Sequence, residues 1–349
     1  MTNLDIHPGE VVCRADPCRD VEVIEPRNVP LGGIRSMTVR RTLPARGRPF
    51  IGSWCFVDHY GPDHVADTGG MTVPPHPHCG LATVSWLFRG EIEHRDSLGT
   101  RELVLPGELN LMTAGRGIAH SEVSTRATTT LHGVQLWLAL PPWQRDSDAS
   151  FLHYAPEEHV DAGAHWRVFL GEVAGEASPV RTHSSTMGAE VTLSPGATIE
   201  VALNTDFEHG VLVDSGRLEV DGNPVAVGNL VALPVDTRRL RLRAGESGAR
   251  ALLIGGTPME SGLVMWWNFI GGSHEEIVAA RQAWQVEIGA ETPDGATITE
   301  YDAARGEAAG RPTIRPGAGS RFGTVLGYDG APLPAPRMPG GRLKPRGAR

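Results

Sequence analysis

The run PPHPHCGLATVSWLF, from Pro74 to Phe88, decides the fold. Its second half, Gly80 to Phe88, is a short apolar stretch rich in branched and aromatic residues, which reads as a buried strand. Neighbouring segments repeat the pattern: GEIEHRDS, RELVL, ELNLMTA and LHGVQLWLAL are strand-like, and Gly90, Gly99, Gly107 and Gly115 separate them at intervals of 8 to 9 residues. Short strands and turns at that spacing predict an antiparallel sandwich or barrel. Residues 1 to about 50 carry further short alternating runs (VEVI, SMTVRRTL) that should wrap onto the same sheet. A polar, Pro-bearing stretch at 141–159 reads as a linker, and a second strand-rich block follows it (WRVFLGEV, TIEVAL, HGVLVDSGRLEVDG, ARALLIGG).

The 349 residues suit about two domains, and 43 Gly with 27 Pro argue against a helical bundle. One helix is expected at 273–286, where Ser273 and Glu276 form a capping box and Ile277, Ala280 and Trp284 make an apolar stripe. Trp266 and Trp267 should anchor it, one ring inward and one at a domain interface. Past Tyr301 the composition changes to 10 Gly, 7 Pro, nine basic and three acidic residues, predicting an irregular, solvated or loosely docked tail.

The net charge of −9 makes nucleic acid an unexpected partner, and without the basic tail residues 1–300 carry −15. No run of 18 apolar residues occurs, and the start MTNLDIHPGEVVCRADPCRD lacks a charged-then-apolar leader, so a cytoplasmic protein is expected. The four Cys show no metal-ribbon spacing and are expected as reduced thiols, with Cys79 in the core.

His76 and His78 are two apart in an extended chain, so both imidazoles point to one face. Forty-two residues after His78, in AGRGIAHSEVS, His120 and Glu122 repeat that spacing. If both strands face one barrel interior, three His and one carboxylate form a ligand set with open positions. That set suits Fe(II), Mn(II), Ni(II), Cu(II) or Zn(II). His64 and His94 read as surface residues, and Trp86, Phe88 and Met112 as core.

The segments FVDHYGPDHV, PPHPHCGLATVSWLFRGEIEHRDSLG, LMTAGRGIAHSE and MWWNFIGGSHEEI occur in an order that closely resembles the pirin family of the cupin superfamily. The resemblance covers nearly all of residues 20–290. It implies an all-β fold of two antiparallel cupin (jelly-roll) barrels in tandem: 1–145 with the metal site, 146–290 degenerate and carrying the helix, and 291–349 as tail. A common cupin has a Glu four or five residues after His-x-His. Here those positions hold Ala82 and Thr83, a departure the pirins share. Their ligand set maps onto His76, His78, His120 and Glu122.

The second barrel has no His-x-His, and where its motif would place a His the chain reads Thr237-Arg238-Arg239. The resemblance further implies one divalent metal, with iron(II) first and Mn, Ni, Cu, Zn or Co as alternatives. Asp58 and His59, in the family-typical VDHYGP, are expected at the rim of the site or behind its ligands. The implied activity is quercetin 2,3-dioxygenase-type cleavage of flavonols with O2, Glu122 being the base for the substrate hydroxyl. The alternative is a redox-sensing iron protein that regulates through a protein partner. A monomer is expected.

Overall fold

The structure is a computed structural model. It describes residues 22–31, 37–260, 262–292 and 320–343, together with short strand segments at 11–13, 301–302 and 307–308.

The chain folds as two antiparallel β-barrels of the cupin type. The first is built from a seven-stranded and a four-stranded sheet. The larger runs in the order Ser150–Tyr154, Leu109–Thr113, Leu81–Arg89, Thr130–Ala139, Trp54–His64, Met37–Leu43, Arg27–Leu31. The smaller runs Thr72–His78, Ile118–Ser124, Ile92–Asp96, Arg101–Val104. Strand Leu81–Arg89 is buried on both faces, which is why it lacks the polar alternation of a surface strand. Thr83 and Ser85 face the barrel interior, while Ala82, Val84 and Trp86 join an apolar layer between the barrels. Across that layer lie Phe169, Leu212, Leu230, Leu252 and Ile254 of the second barrel, with the Trp86 and Phe169 rings 4.6 Å apart. Two segments cross the expected division at residue 145: Glu22–Ile24 pairs with Leu230–Leu233 of the second barrel, and Ser150–Tyr154 pairs with Leu109–Thr113 of the first.

The turn after the His-x-His segment requires glycine. Gly80 has φ +72°, and a Cβ there would collide with the Ile270 carbonyl oxygen. That close approach binds the end of strand Thr72–His78 to the segment leading into the helix.

The helix spans His274–Glu287 and is capped by Ser273, whose side chain accepts from Glu276 N at 3.2 Å. Ile277, Ala280 and Trp284 are buried as expected. Trp266 and Trp267 are both buried in the cluster beneath the helix, which also takes in Cys79 and Ala119 of the first barrel. The described part of the tail also differs from expectation. Phe322, Val325, Ala335 and Leu343 are buried in that same cluster. Backbone groups fix this segment to the first barrel: Ala119 N donates to Phe322 O at 2.9 Å, and Leu333 N to Pro75 O at 2.8 Å. Trp284 Nε1 completes the strap by donating to Leu333 O at 2.7 Å. Gly and Pro here serve an ordered, non-repetitive path in which apolar anchors replace regular structure.

The second barrel is filled by apolar side chains including Trp166, Val191, Val211, Leu240 and Leu253. Within this half, His209 is buried with no partner for Nδ1, and burial pushes its pKa down to about 4. The folded state therefore holds this ring neutral while the unfolded chain takes up a proton below about pH 6.5. Stability attributable to it is present at neutral pH and is lost as pH falls from about 6.5 to 4, by roughly 3–4 kcal/mol at most. His209→Leu should flatten the acid side of the stability profile. Urea midpoints of variant and parent that fall equally between pH 7 and pH 4.5 would refute this.

Candidate metal centre

The smaller sheet of the first barrel brings His76, His78 and His120 together and sets Glu122 within ligand distance of His120. Strands Thr72–His78 and Ile118–Ser124 pair antiparallel, with His120 opposite His76 and Ile118 opposite His78. A register shift then sets Glu122 opposite Val73. The extra residue falls in the Pro74-Pro75 segment, which has no amide hydrogens to give to the ladder, the usual setting for a bulge.

The three imidazole rings form a compact triangle, with centroids 5.0 Å apart for His76–His78, 4.3 Å for His76–His120 and 4.9 Å for His78–His120. His76, His78 and His120 are 0% exposed and Glu122 1%. Each His offers a ligand atom, and these atoms lie within 4.8 Å of one another. Burial holds all three rings neutral, the state a ligand requires, with His76 pushed down to about 3.

The decisive observation is that Nε2 of His76, of His78 and of His120 is buried without a hydrogen-bond partner. Three unpartnered nitrogens converging in a dry interior are costly unless something occupies the point they face. A transition-metal ion meets that requirement, and the N3O donor set fits one. At His76 the tautomer is already suited: Nδ1 lies 2.8 Å from Pro74 O and donates to it, leaving the Nε2 lone pair free.

Glu122 is held by groups that carry no recognisable signal in the sequence. Ser85 Oγ lies 3.2 Å from Glu122 Oε1 and 2.9 Å from Gln135 Oε1, and its single hydroxyl hydrogen serves one of these two acceptors at a time. Aromatic rings pack beside the triangle: Trp137 stands edge-on to His78 at 5.2 Å and stacks on Phe56 at 4.0 Å. Tyr60 is fully buried, and desolvation raises its phenol well above the usual value, with the Glu122 charge adding to the effect.

His94 is not at the surface. It is 2% exposed, and its Nδ1 is 3.4 Å from Nδ1 of His120. His64 is exposed and Cys79 is buried, as expected.

Asp58 shares a strand face with Phe56 and Tyr60 and lies opposite Gln135, whereas His59 turns away from the site. Arg41 grips the Asp58 carboxylate with two hydrogen bonds of 2.6 and 2.8 Å, and stacks over Phe56. His59, on the opposite face of the strand, points to the second barrel, where its Nε2 is 2.8 Å from Asp214 Oδ1. His132 Nε2 reaches the same oxygen at 2.7 Å, and Arg250 Nε reaches Oδ2 at 2.7 Å. This cluster resembles a second ligand set. However, Arg40 lies 3.2 Å from His59 Nδ1, and together with Arg250 already supplies the positive charge a cation would bring. It is an ion-pair hub between the barrels.

Residues 36–138 match the family model Pirin, and residues 188–287 match the Pirin C-terminal cupin domain. The chain belongs to the pirin family. A Pseudomonas aeruginosa pirin relative provisionally named quercetin 2,3-dioxygenase is 42% identical over 260 residues, covering 74% of this chain and 82% of that protein. A Caulobacter vibrioides pirin-like protein is 34% identical over 276 residues, 75% of this chain and 92% of its own. The crystal structure of a quercetin 2,3-dioxygenase from Acinetobacter baumannii superposes with a TM-score of 0.79 at 32% identity, covering 93% of this chain and 98% of that one. As a pirin the chain thus has both cupin domains, and the candidate ligands all lie in the first. Among the described residues no helix is long and apolar enough to cross a membrane.

Proposed function

We propose that this pirin is a metal-dependent dioxygenase, using iron(II), that cleaves flavonols of the quercetin type. The observation that carries the reading is the triangle of buried, unpartnered His Nε2 atoms, one corner of which, His120, also lies within ligand distance of Glu122. The names of the Pseudomonas and Acinetobacter relatives support the substrate class.

His76, His78, His120 and Glu122 would hold the metal. When bound, it supplies Lewis acidity to the substrate's 3-hydroxyl and 4-carbonyl oxygens and a redox route to O2. The chain's own residues do the rest. Glu122 takes the 3-hydroxyl proton, and the Ser85 hydroxyl steadies its carboxylate when turned to it. Trp137, Phe56 and Tyr60 present rings to a planar substrate and exclude water from the reacting face. The flavonol ring opens with both atoms of O2 retained in the ester product and C3 released as CO.

The test is oxygen uptake by iron-loaded protein with quercetin. Glu122→Gln should keep metal yet lower turnover by about 10²–10⁴-fold, the usual worth of a positioned base. Undiminished turnover in that variant rejects the base, and no metal-dependent turnover of any flavonol rejects the activity.

A further inference from the structure

His94 lies outside the candidate ligand set, and its surroundings assign it a role. Its Nε2 is 3.2 Å from Asp96 Oδ2, and its Nδ1 is 3.4 Å from His120 Nδ1. A carboxylate oxygen only accepts, so the ring hydrogen of His94 sits on Nε2 and Nδ1 carries a lone pair. The facing nitrogen, His120 Nδ1, must then bear the hydrogen that joins the two rings. That leaves the His120 lone pair on Nε2, the atom that lies buried without a partner beside His76 and His78.

The pair cannot easily reorient. The other Asp96 oxygen accepts from Leu98 N at 2.9 Å and Thr100 N at 3.1 Å, which pins the carboxylate to the turn after strand Ile92–Asp96. Phe151 packs on the His94 ring at 4.8 Å between centroids. His94 and Asp96 are 2% and 1% exposed, so bulk water does not compete for these bonds.

We propose that Asp96 and His94 are positioning residues for the metal centre, a buried chain that fixes His120 as the Nδ1–H tautomer and aims Nε2 at the metal. The inference rests on His120 being a ligand. It goes beyond that in giving an Asp–His pair control of the ligand's tautomer and basicity. His94 also lies within ligand distance of His120 and Glu122, but with Nε2 turned to Asp96 and Nδ1 to His120 it acts here as an outer partner.

The experiment measures zinc affinity by chelator competition, and reads the His120 tautomer by proton–nitrogen correlation in ¹⁵N-histidine-labelled, zinc-loaded protein. His94→Leu should weaken zinc by about 10–100-fold, the usual effect of losing an outer partner of a ligating histidine. His94→Gln, which can return an amide oxygen to His120 Nδ1, should recover most of that loss, which a merely space-filling role would not explain. Asp96→Asn keeps the turn acceptor but can donate to His94 Nε2, so it should reverse the His94 tautomer and weaken zinc as His94→Leu does. Wild-type affinity in His94→Leu and Asp96→Asn, or a His120 hydrogen found on Nε2, overturns the proposal. Absence of zinc binding by the parent protein overturns the metal reading instead.

Discussion

Asp214→Ala should destabilise the protein by about 3–5 kcal/mol, the cost of removing one partner from a buried ion pair. Asp214 is 2% exposed and serves three donors from both barrels: His59, His132 and Arg250. Those hydrogen bonds and charges hold its carboxyl far below the usual range against the opposing effect of burial. Without it, Arg250 loses its hydrogen-bonded carboxylate, Arg40 loses the opposite charge that acts on it, and two imidazoles lose their acceptor. Urea unfolding at pH 7, followed separately by Trp fluorescence and by far-UV circular dichroism, measures the loss. Asp214→Asn should fall between, because the amide oxygen still accepts while the charge is gone. A change within about 0.5 kcal/mol of the parent, the range of ordinary surface substitutions, would contradict the account.

His78→Ala should abolish stoichiometric metal retention, a larger effect than the roughly 10–100-fold expected for outer partners. The reason is geometric: His78 is one corner of a triangle whose rings are 4.3 to 5.0 Å apart, and its loss removes one of the three grouped imidazoles. Because a ligand that binds only the folded state stabilises it, chelator should lower the melting temperature of the parent protein. The variant should already melt near the chelated parent and respond little to chelator. Metal content equal to the parent, measured on protein purified without added metal, would remove His78 from the ligand set.

The amino-acid order makes readable the features that belong to one strand at a time. His76 with His78 and His120 with Glu122 are visible because the period of two is a local property of extended chain. His94 reads as a surface residue because its environment comes from pairing: only when Ile92–Asp96 lies against Ile118–Ser124, with Glu122 opposite His94, does its ring meet His120. Asp58 and His59 show the converse. Adjacent residues on a strand face opposite ways, so one joins Arg41 in the barrel wall and the other crosses to Asp214. No local signal connects His59, His132 and Asp214, which come together only when the two sheets pack. The tail reads as solvated because its composition lacks periodicity, yet its apolar anchors bind an edge that already offers partners.

That strap alters what counts as the metal-binding unit. All four candidate ligands lie between residues 76 and 122, and a shortened chain ending near residue 292 would keep them, both barrels and the helix. It would still lose Phe322 O from Ala119, the neighbour of His120, and Leu333 N from Pro75, the neighbour of His76. Each severed bond lies one peptide unit from a ligand. Trimming the chain to its recognisable domains would therefore loosen the wall behind two of the histidines, and expression boundaries for this protein are best set beyond Leu343.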